Sequence, residues 1–194
     1  MKIEECRKRL EELEVAREEL IRISREIRIL SSKAIVSIHS GKNVEARELI
    51  SRAKKILEKA KEFKKFPEVY FSIIHEAMQE LAEAEFLFRA TSNSFSFALD
   101  FEVESGAFLT GLADSIGELR RFALSKMISG ELSEAEKILE LMEKIYIELV
   151  AFTSIPERLL PGFRQKVDVA RVAIERTKSD LLTARLYAAL DRNR

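Results

Sequence analysis

Apolar residues recur three and four positions apart along almost the whole chain, the spacing that lines one face of an α-helix. No run alternates in the two-residue rhythm of a half-buried strand. The stretch from Ile3 to Ser40 has neither Gly nor Pro and carries Leu10, Leu13, Leu20, Ile23, Ile27, Leu30, Ala34 and Ile38 at this spacing, which predicts one long helix. Its first half is nearly saturated with charge and its second half, Arg28 to Gly41, loses it. The tail is therefore expected among other helices, the beginning in solvent, and Gly41 is the expected stop. Asn43 is placed to cap a second helix, Val44 to Phe66, with Leu49, Ala53, Ile56, Leu57, Ala60 and Phe63 as one apolar stripe. Pro67 opens a third helix, to Ala90, at the first-turn position where its missing N–H costs nothing.

Polar turn formers from Thr91 to Phe97 and an acidic run from Asp100 to Gly106 then break the pattern. A fourth helix follows, Ala107 to Ile128, with Phe108, Leu112, Ile116, Leu119 and Ala123 as its core stripe. Ala107, Thr110, Gly111, Asp114, Gly117 and Glu118 make a second face of small residues and acids. Each glycine inside a helix costs about 1 kcal/mol relative to alanine, so the two call for the close approach of a backbone or a ligand. Ser133-Glu-Ala-Glu136 reads as a capping box opening a fifth helix, to Phe152. Thr153 to Gly162, with Pro156 and Pro161, is an irregular corner, and a final helix runs from Phe163 to Leu190. Together these predict an all-α bundle of six or seven helices, one domain over residues 1–194.

The third helix breaks its own stripe. Ile73, Ala77, Glu80, Ala84 and Leu87 follow one another on a single line, so Glu80 places an acid where carbon is expected, and Glu83 follows at i+3. A desolvated pair of carboxylates calls for a cation, an Arg or Lys side chain or a metal ion; the plain alternative is a partly solvated helix edge. Asp114 and Glu118 stand one turn apart on the fourth helix. The basic run Lys54, Lys55, Lys59, Lys61, Lys64 and Lys65 reads first as a solvated face and second as a place for phosphates.

Charge and cysteine content narrow the classes. The 33 Lys and Arg balance the 33 Asp and Glu, so a polyanion partner needs a local patch or a metal in place of a global basic field. Cys6 is the only cysteine, which excludes an internal disulfide and a cysteine-based zinc site. The charged start and the absence of a membrane-length apolar run lead us to expect a soluble cytoplasmic protein with no membrane contact. A di-iron bundle would need Glu-x-x-His pairs, a spacing in which neither His39 nor His75 stands. Both read as helix-end or half-buried residues.

The pairing of Gln79-Glu-Leu-Ala-Glu-Ala84 with Gly111-Leu-Ala-Asp-Ser-Ile-Gly-Glu-Leu119 resembles the two acidic helices of the Trax-like branch of the translin family. Arg25-Glu-Ile-Arg28, Ala34-Ile-Val-Ser-Ile-His-Ser-Gly41 and Phe163-Arg-Gln-Lys-Val-Asp168 extend the likeness over nearly the whole chain. The resemblance implies a translin-like helical fold, a hollow closed homo-oligomer, and magnesium-dependent endoribonuclease activity on single-stranded RNA inside the shell, with single-stranded DNA as a further ligand. It places Glu80, Glu83 and Asp114 on the family's catalytic, metal-binding carboxylates, with Glu118 beside them. The chain departs from Trax in the early third helix, where aromatic residues replace a histidine. The stretch matching translin's nucleic-acid contact, Tyr70-Phe-Ser-Ile-Ile-His75, carries little positive charge.

The residue chemistry is compatible with this. Magnesium is a hard cation that takes a few carboxylates and keeps several waters, and manganese accepts the same oxygen donors. Glu118 fits as a ligand, as an acid supporting the ligands, or as a water-activating base. Because acids repel a polyanion, phosphate contacts are expected from the lysines and arginines of the second and fourth helices, Arg120 and Arg121 among them. Helices that enclose a cavity must bury apolar faces against copies of themselves, so a homo-oligomer larger than a tetramer is expected. Two rival readings are a shell that holds RNA or single-stranded DNA without cutting it, its acids paired with Arg89, Arg120 or Arg121, and a purely structural helical scaffold.

Overall fold

The computed structural model describes residues 2–192. It holds six α-helices, α1 (Ile3–His39), α2 (Asn43–Ala60), α3 (Pro67–Thr91), α4 (Ser105–Ile128), α5 (Leu132–Val150) and α6 (Phe163–Arg192), with a short 3-10 helix at Lys61–Lys65 and no strand among the described residues. The all-α fold expected from the apolar period is therefore present. The chain divides into two compact units, Met1–Phe88 with Phe97–Phe108 and Arg89–Ser96 with Leu109–Arg194. No helix among the described residues is long and apolar enough to cross a membrane.

In the first unit α1 and α2 form a hairpin. Gly41 at φ 74° makes the turn, and the N–H of Lys42 reaches back to the carbonyl of Ser37 at 2.9 Å, which closes α1. This turn uses up the link, so Asn43 becomes the first helical residue and Lys42 the cap, without a side-chain capping bond. The expected Asn43 cap is thereby corrected by one position. The buried positions of α1 begin at Ala16 and run through Leu20, Ile23, Ile27, Leu30, Ala34 and Ile38, while Leu10 stays 66% exposed. With 37 residues α1 is about 55 Å long at 1.5 Å per residue, about twice the length of α2. A stripe is buried only as far as another element covers it.

α2 stops six residues before Phe66, the end that its apolar pattern suggested. The chain tightens into the 3-10 helix, and Phe66 leaves helical geometry at φ −118° and ψ 64°, because the ring of Pro67 crowds the residue before it. The basic face of this hairpin is less solvated than its composition suggests. Lys54 bonds Asp100 at 2.7 Å and reaches Glu85 at 3.0 Å, Lys61 and Lys64 hold Glu102, and His75 faces Glu104 at 3.0 Å. The acidic segment after α3 is thus a strap across the lysines. Hydrogen bonds from Lys64 and Lys61 hold the Glu102 carboxyl below its usual range. Its contribution is full above the ordinary carboxylate pKa and is lost as the pH falls through the lowered value.

In the second unit α5 and α6 pack on one another, and the links on either side of α5 are tied by side chains. Lys126 and the Ser129 hydroxyl donate to Glu131 at 2.8 and 2.9 Å, and Gly130 turns the chain at φ 79°. Glu131 is the cap of α5, so the helix opens before the expected Ser133–Glu136 box. At the corner between α5 and α6, Glu157 accepts the N–H of Gly162 at 2.6 Å and Arg164 donates to the carbonyl of Thr153 at 2.8 Å.

Gly117 does not answer to the close approach expected of it. A Cβ built there meets nothing within 4 Å in this chain, and the residue is exposed. Gly117→Ala is accordingly expected to stabilise the fold by about 1 kcal/mol, since alanine loses less backbone entropy in a helix. Thermal melting checks this, and a lower Tm in the variant would show that the face is occupied by something outside the single chain.

Candidate functional site

The site residues on α3 lie in the first unit. Glu80 is half-buried, its side chain 25% exposed, as expected of an acid inside an apolar stripe. The Nε of Arg28 donates to its Oε1 at 2.7 Å, and the Ser32 hydroxyl donates to its Oε2 at 3.3 Å. Arg28 also reaches Glu76 at 2.9 Å. The hydrogen bond and the charge of Glu80 raise the Arg28 guanidinium above its ordinary pKa. Glu83 is half-buried on the same helix.

Asp114 and Glu118 lie on α4 in the second unit, and both are half-buried. The ammonium of Lys166, on α6, donates to both oxygens of Asp114 at 2.8 and 2.7 Å. Arg121 approaches Glu118 at 3.7 Å with its own side chain 66% exposed. Arg120 points the other way along its helix: it donates to the Thr177 hydroxyl at 3.0 Å and pairs with Asp180 at 2.9 Å. Thr177 is fully buried and its hydroxyl bonds the carbonyl of Ala173, so Arg120 braces α4 against α6.

The cations drawn to Glu80 and Asp114 are Arg28 and Lys166, neither of which periodicity singles out. Both stand in stretches that carry the family resemblance, Arg25-Glu-Ile-Arg28 and Phe163-Arg-Gln-Lys-Val-Asp168, which is the signal that could have found them. A further acid lies off the stripe that Glu80 interrupts. Glu85 is 5% exposed, more deeply buried than Glu80, and faces Lys54. Its place inside the apolar block Ala84-Glu-Phe-Leu-Phe88 was the available clue. Of the stretch Tyr70–His75, Tyr70 is fully buried, and burial pushes its phenol pKa up; Phe71 is 46% exposed.

No group of three or more His, Cys, Asp or Glu side chains is arranged as a metal-ligand set among the described residues. The donor chemistry nonetheless suits a hard divalent ion. Carboxylate oxygens are the groups magnesium prefers, and a positive charge already rests against Glu80 and against Asp114. An ion at either acid would have to displace the cation now held there, Arg28 at Glu80 or Lys166 at Asp114, and both pairs are half-exposed.

Comparison with known proteins adds to this geometry. A model of the Translin family matches residues 74–179. An uncharacterized protein of Methanocaldococcus jannaschii is 32% identical over 171 residues, which make up 86% of this chain and 75% of that protein. Among solved structures, AfC3PO superposes with a TM-score of 0.94 at 52% identity, over 96% of this chain and 98% of that one, in its own crystal structure and in its complex with duplex RNA. Apo-NeC3PO superposes with a TM-score of 0.84 at 20% identity, over 94% of this chain and 97% of that one, and shares the fold.

Proposed function

The chain belongs to the translin family, and from that membership we propose that it is a cytoplasmic, magnesium-dependent endoribonuclease of the Trax-like branch. The observation that carries the reading is the 52% identity and 0.94 TM-score to AfC3PO, a protein that has been solved holding duplex RNA. The half-buried acids Glu80, Glu83 and Asp114 support the catalytic side of it, being the carboxylates the resemblance to Trax assigns. A bound magnesium ion, or manganese in its place, would supply a water of lowered pKa and an electrophile for the phosphate. The chain's own residues do the rest. Glu80, Glu83 and Asp114 offer the carboxylate oxygens, Glu118 supports them, and Arg28 and Lys166 hold Glu80 and Asp114 in place until the ion arrives. Arg121, largely exposed, can take a phosphate directly, whereas Arg120 would first have to leave Asp180.

A second reading, a shell that binds RNA without cutting it, is favoured by the Arg28–Glu80 and Lys166–Asp114 pairs, which neutralise two of the acids. Incubating the purified protein with labelled single-stranded and duplex RNA, with magnesium or with chelator, separates the two. We expect cleavage of single strands that stops on chelation. Binding without cleavage in magnesium would leave the shell.

Assembly belongs to the same proposal. Leu182, Leu186 and Leu190 lie one turn apart on α6 and are 61%, 58% and 62% exposed, with Tyr187 beside them at 67%. Such an apolar stripe in water is an interface awaiting its partner, and a second copy of the chain supplies one. We expect a closed homo-oligomer larger than a tetramer by light scattering, and Leu186→Glu is expected to break it into smaller species. A monomeric wild type at micromolar concentration would contradict this.

A further inference from the structure

In the first unit two cations beside a groove have no carboxylate partner among the described residues. A groove of about 830 Å3 runs between α1 and α3, and Arg25, Arg28, Ser32 and Lys33 of α1 line it together with Ser72, Glu76 and Glu80 of α3. These α1 positions recur at helical spacing, so their side chains share one face. Arg28 is committed to Glu76 and Glu80. Arg25 and Lys33 are exposed, and neither makes an ion pair or a side-chain hydrogen bond among the described residues. Lys54, Lys61 and Lys64 of the same unit, by contrast, hold acids. Cations left unneutralised beside a groove are placed to meet an anion that arrives from outside.

The dimensions and chemistry of the groove suit a nucleic-acid backbone. From Arg25 to Lys33 the helix rises about 12 Å, enough for the two cations to meet different phosphates of one strand. The Ser32 and Ser72 hydroxyls add neutral partners for phosphate and sugar oxygens. Ile21 and Ile29, also lining the groove and 39% and 45% exposed, offer apolar surface for a sugar or base face. Glu80 forms part of the same wall, so a strand lying here is brought to one of the acids.

We propose that this groove is the RNA-backbone track of the protein, with Arg25 and Lys33 as phosphate contacts that lead the strand to Glu80. The assignment rests on the RNA reading above and moves the principal phosphate contacts to α1, away from Arg120 and Arg121. The full chain is titrated with fluorescently labelled RNA in chelator, so that no cleavage intervenes, at several salt concentrations. Arg25→Gln and Lys33→Gln should each weaken binding about five- to tenfold, and the double variant should lower the slope of log affinity against log salt by about two contacts' worth. Arg25→Lys should keep most of the affinity, and Arg7→Gln, an exposed cation elsewhere on α1, should bind as the wild type does. An unchanged affinity and slope in the double variant, beside a wild type that binds RNA, would overturn the groove and leave the nuclease reading standing. Loss of RNA binding in step with loss of assembly by light scattering would also overturn it, by making the groove an interface between copies. A wild type that binds no RNA at low salt would overturn both readings.

Discussion

Glu80→Gln and Asp114→Asn are each expected to lower magnesium-dependent RNA cleavage by about a thousandfold or more, with little change in folding. The amide keeps the shape of the carboxylate and removes the charge that a metal needs. The ion pairs lost with Arg28 and Lys166 are partly exposed, so each contributes under about 1 kcal/mol to stability. Glu83→Gln should behave like Glu80→Gln, and Glu118→Gln should be milder if that acid only supports the ligands. Groups that act through one ion fail together. The Glu80→Gln/Asp114→Asn double variant should therefore cost little more than the worse single one, whereas independent surface acids would give small, additive effects. Cleavage, melting temperature and oligomer size measured on the same preparations separate lost chemistry from lost structure.

The second large effect concerns stability and involves none of the catalytic acids. Glu85 is 5% exposed and faces Lys54 at 3.0 Å, and Lys54 also holds Asp100 and lies over the ring of Phe101 at 5.2 Å. Lys54→Met fills the same space but removes the cation from beside a buried carboxylate and from the acidic strap. We expect a loss of about 3 kcal/mol, since removing one member of a buried pair costs more than the pair itself contributes. For a chain of this size that is a fall in Tm of about 10 °C. Replacing the acid as well, in Lys54→Met/Glu85→Leu, should recover much of the loss, because the buried carboxylate leaves together with the cation it faces and only the exposed Asp100 still loses Lys54. A single variant that melts with the wild type would mean that Lys54 and the strap contribute nothing to holding the hairpin.

The helices were legible because a period of 3.6 residues repeats many times, so errors at single positions do not change the outcome. Their ends were less so. Asn43 and Ser133 are residues that cap well, yet Gly41 and the Lys126–Glu131–Ser129 contacts set the two helix starts one and two residues earlier. Capping preference is worth about 1 kcal/mol, which a turn or a side-chain tie easily outweighs. The half-burial of Glu80 was legible for a related reason: an acid on an apolar stripe must sit near the edge of the core. Which cation it meets was not, because Arg28 comes from another helix and only packing brings the two together. Glu85 shows the complementary failure. A line of i+3 and i+4 neighbours drawn through Glu80 passes it by, although both of its sequence neighbours are fully buried. The acidic strap was legible as composition and illegible as structure, since nothing local shows that Asp100, Glu102 and Glu104 close over Lys54, Lys61, Lys64 and His75.

The most direct test of the central claim is a magnesium titration of RNA cleavage under single-turnover conditions, wild type beside Glu80→Gln/Asp114→Asn, with a melting curve for each preparation. The account predicts wild-type cleavage that rises and saturates with magnesium and vanishes in chelator, and a folded double variant that stays inactive at every concentration. Wild-type cleavage that is indifferent to chelator, or a double variant that cuts as the wild type does, would contradict it.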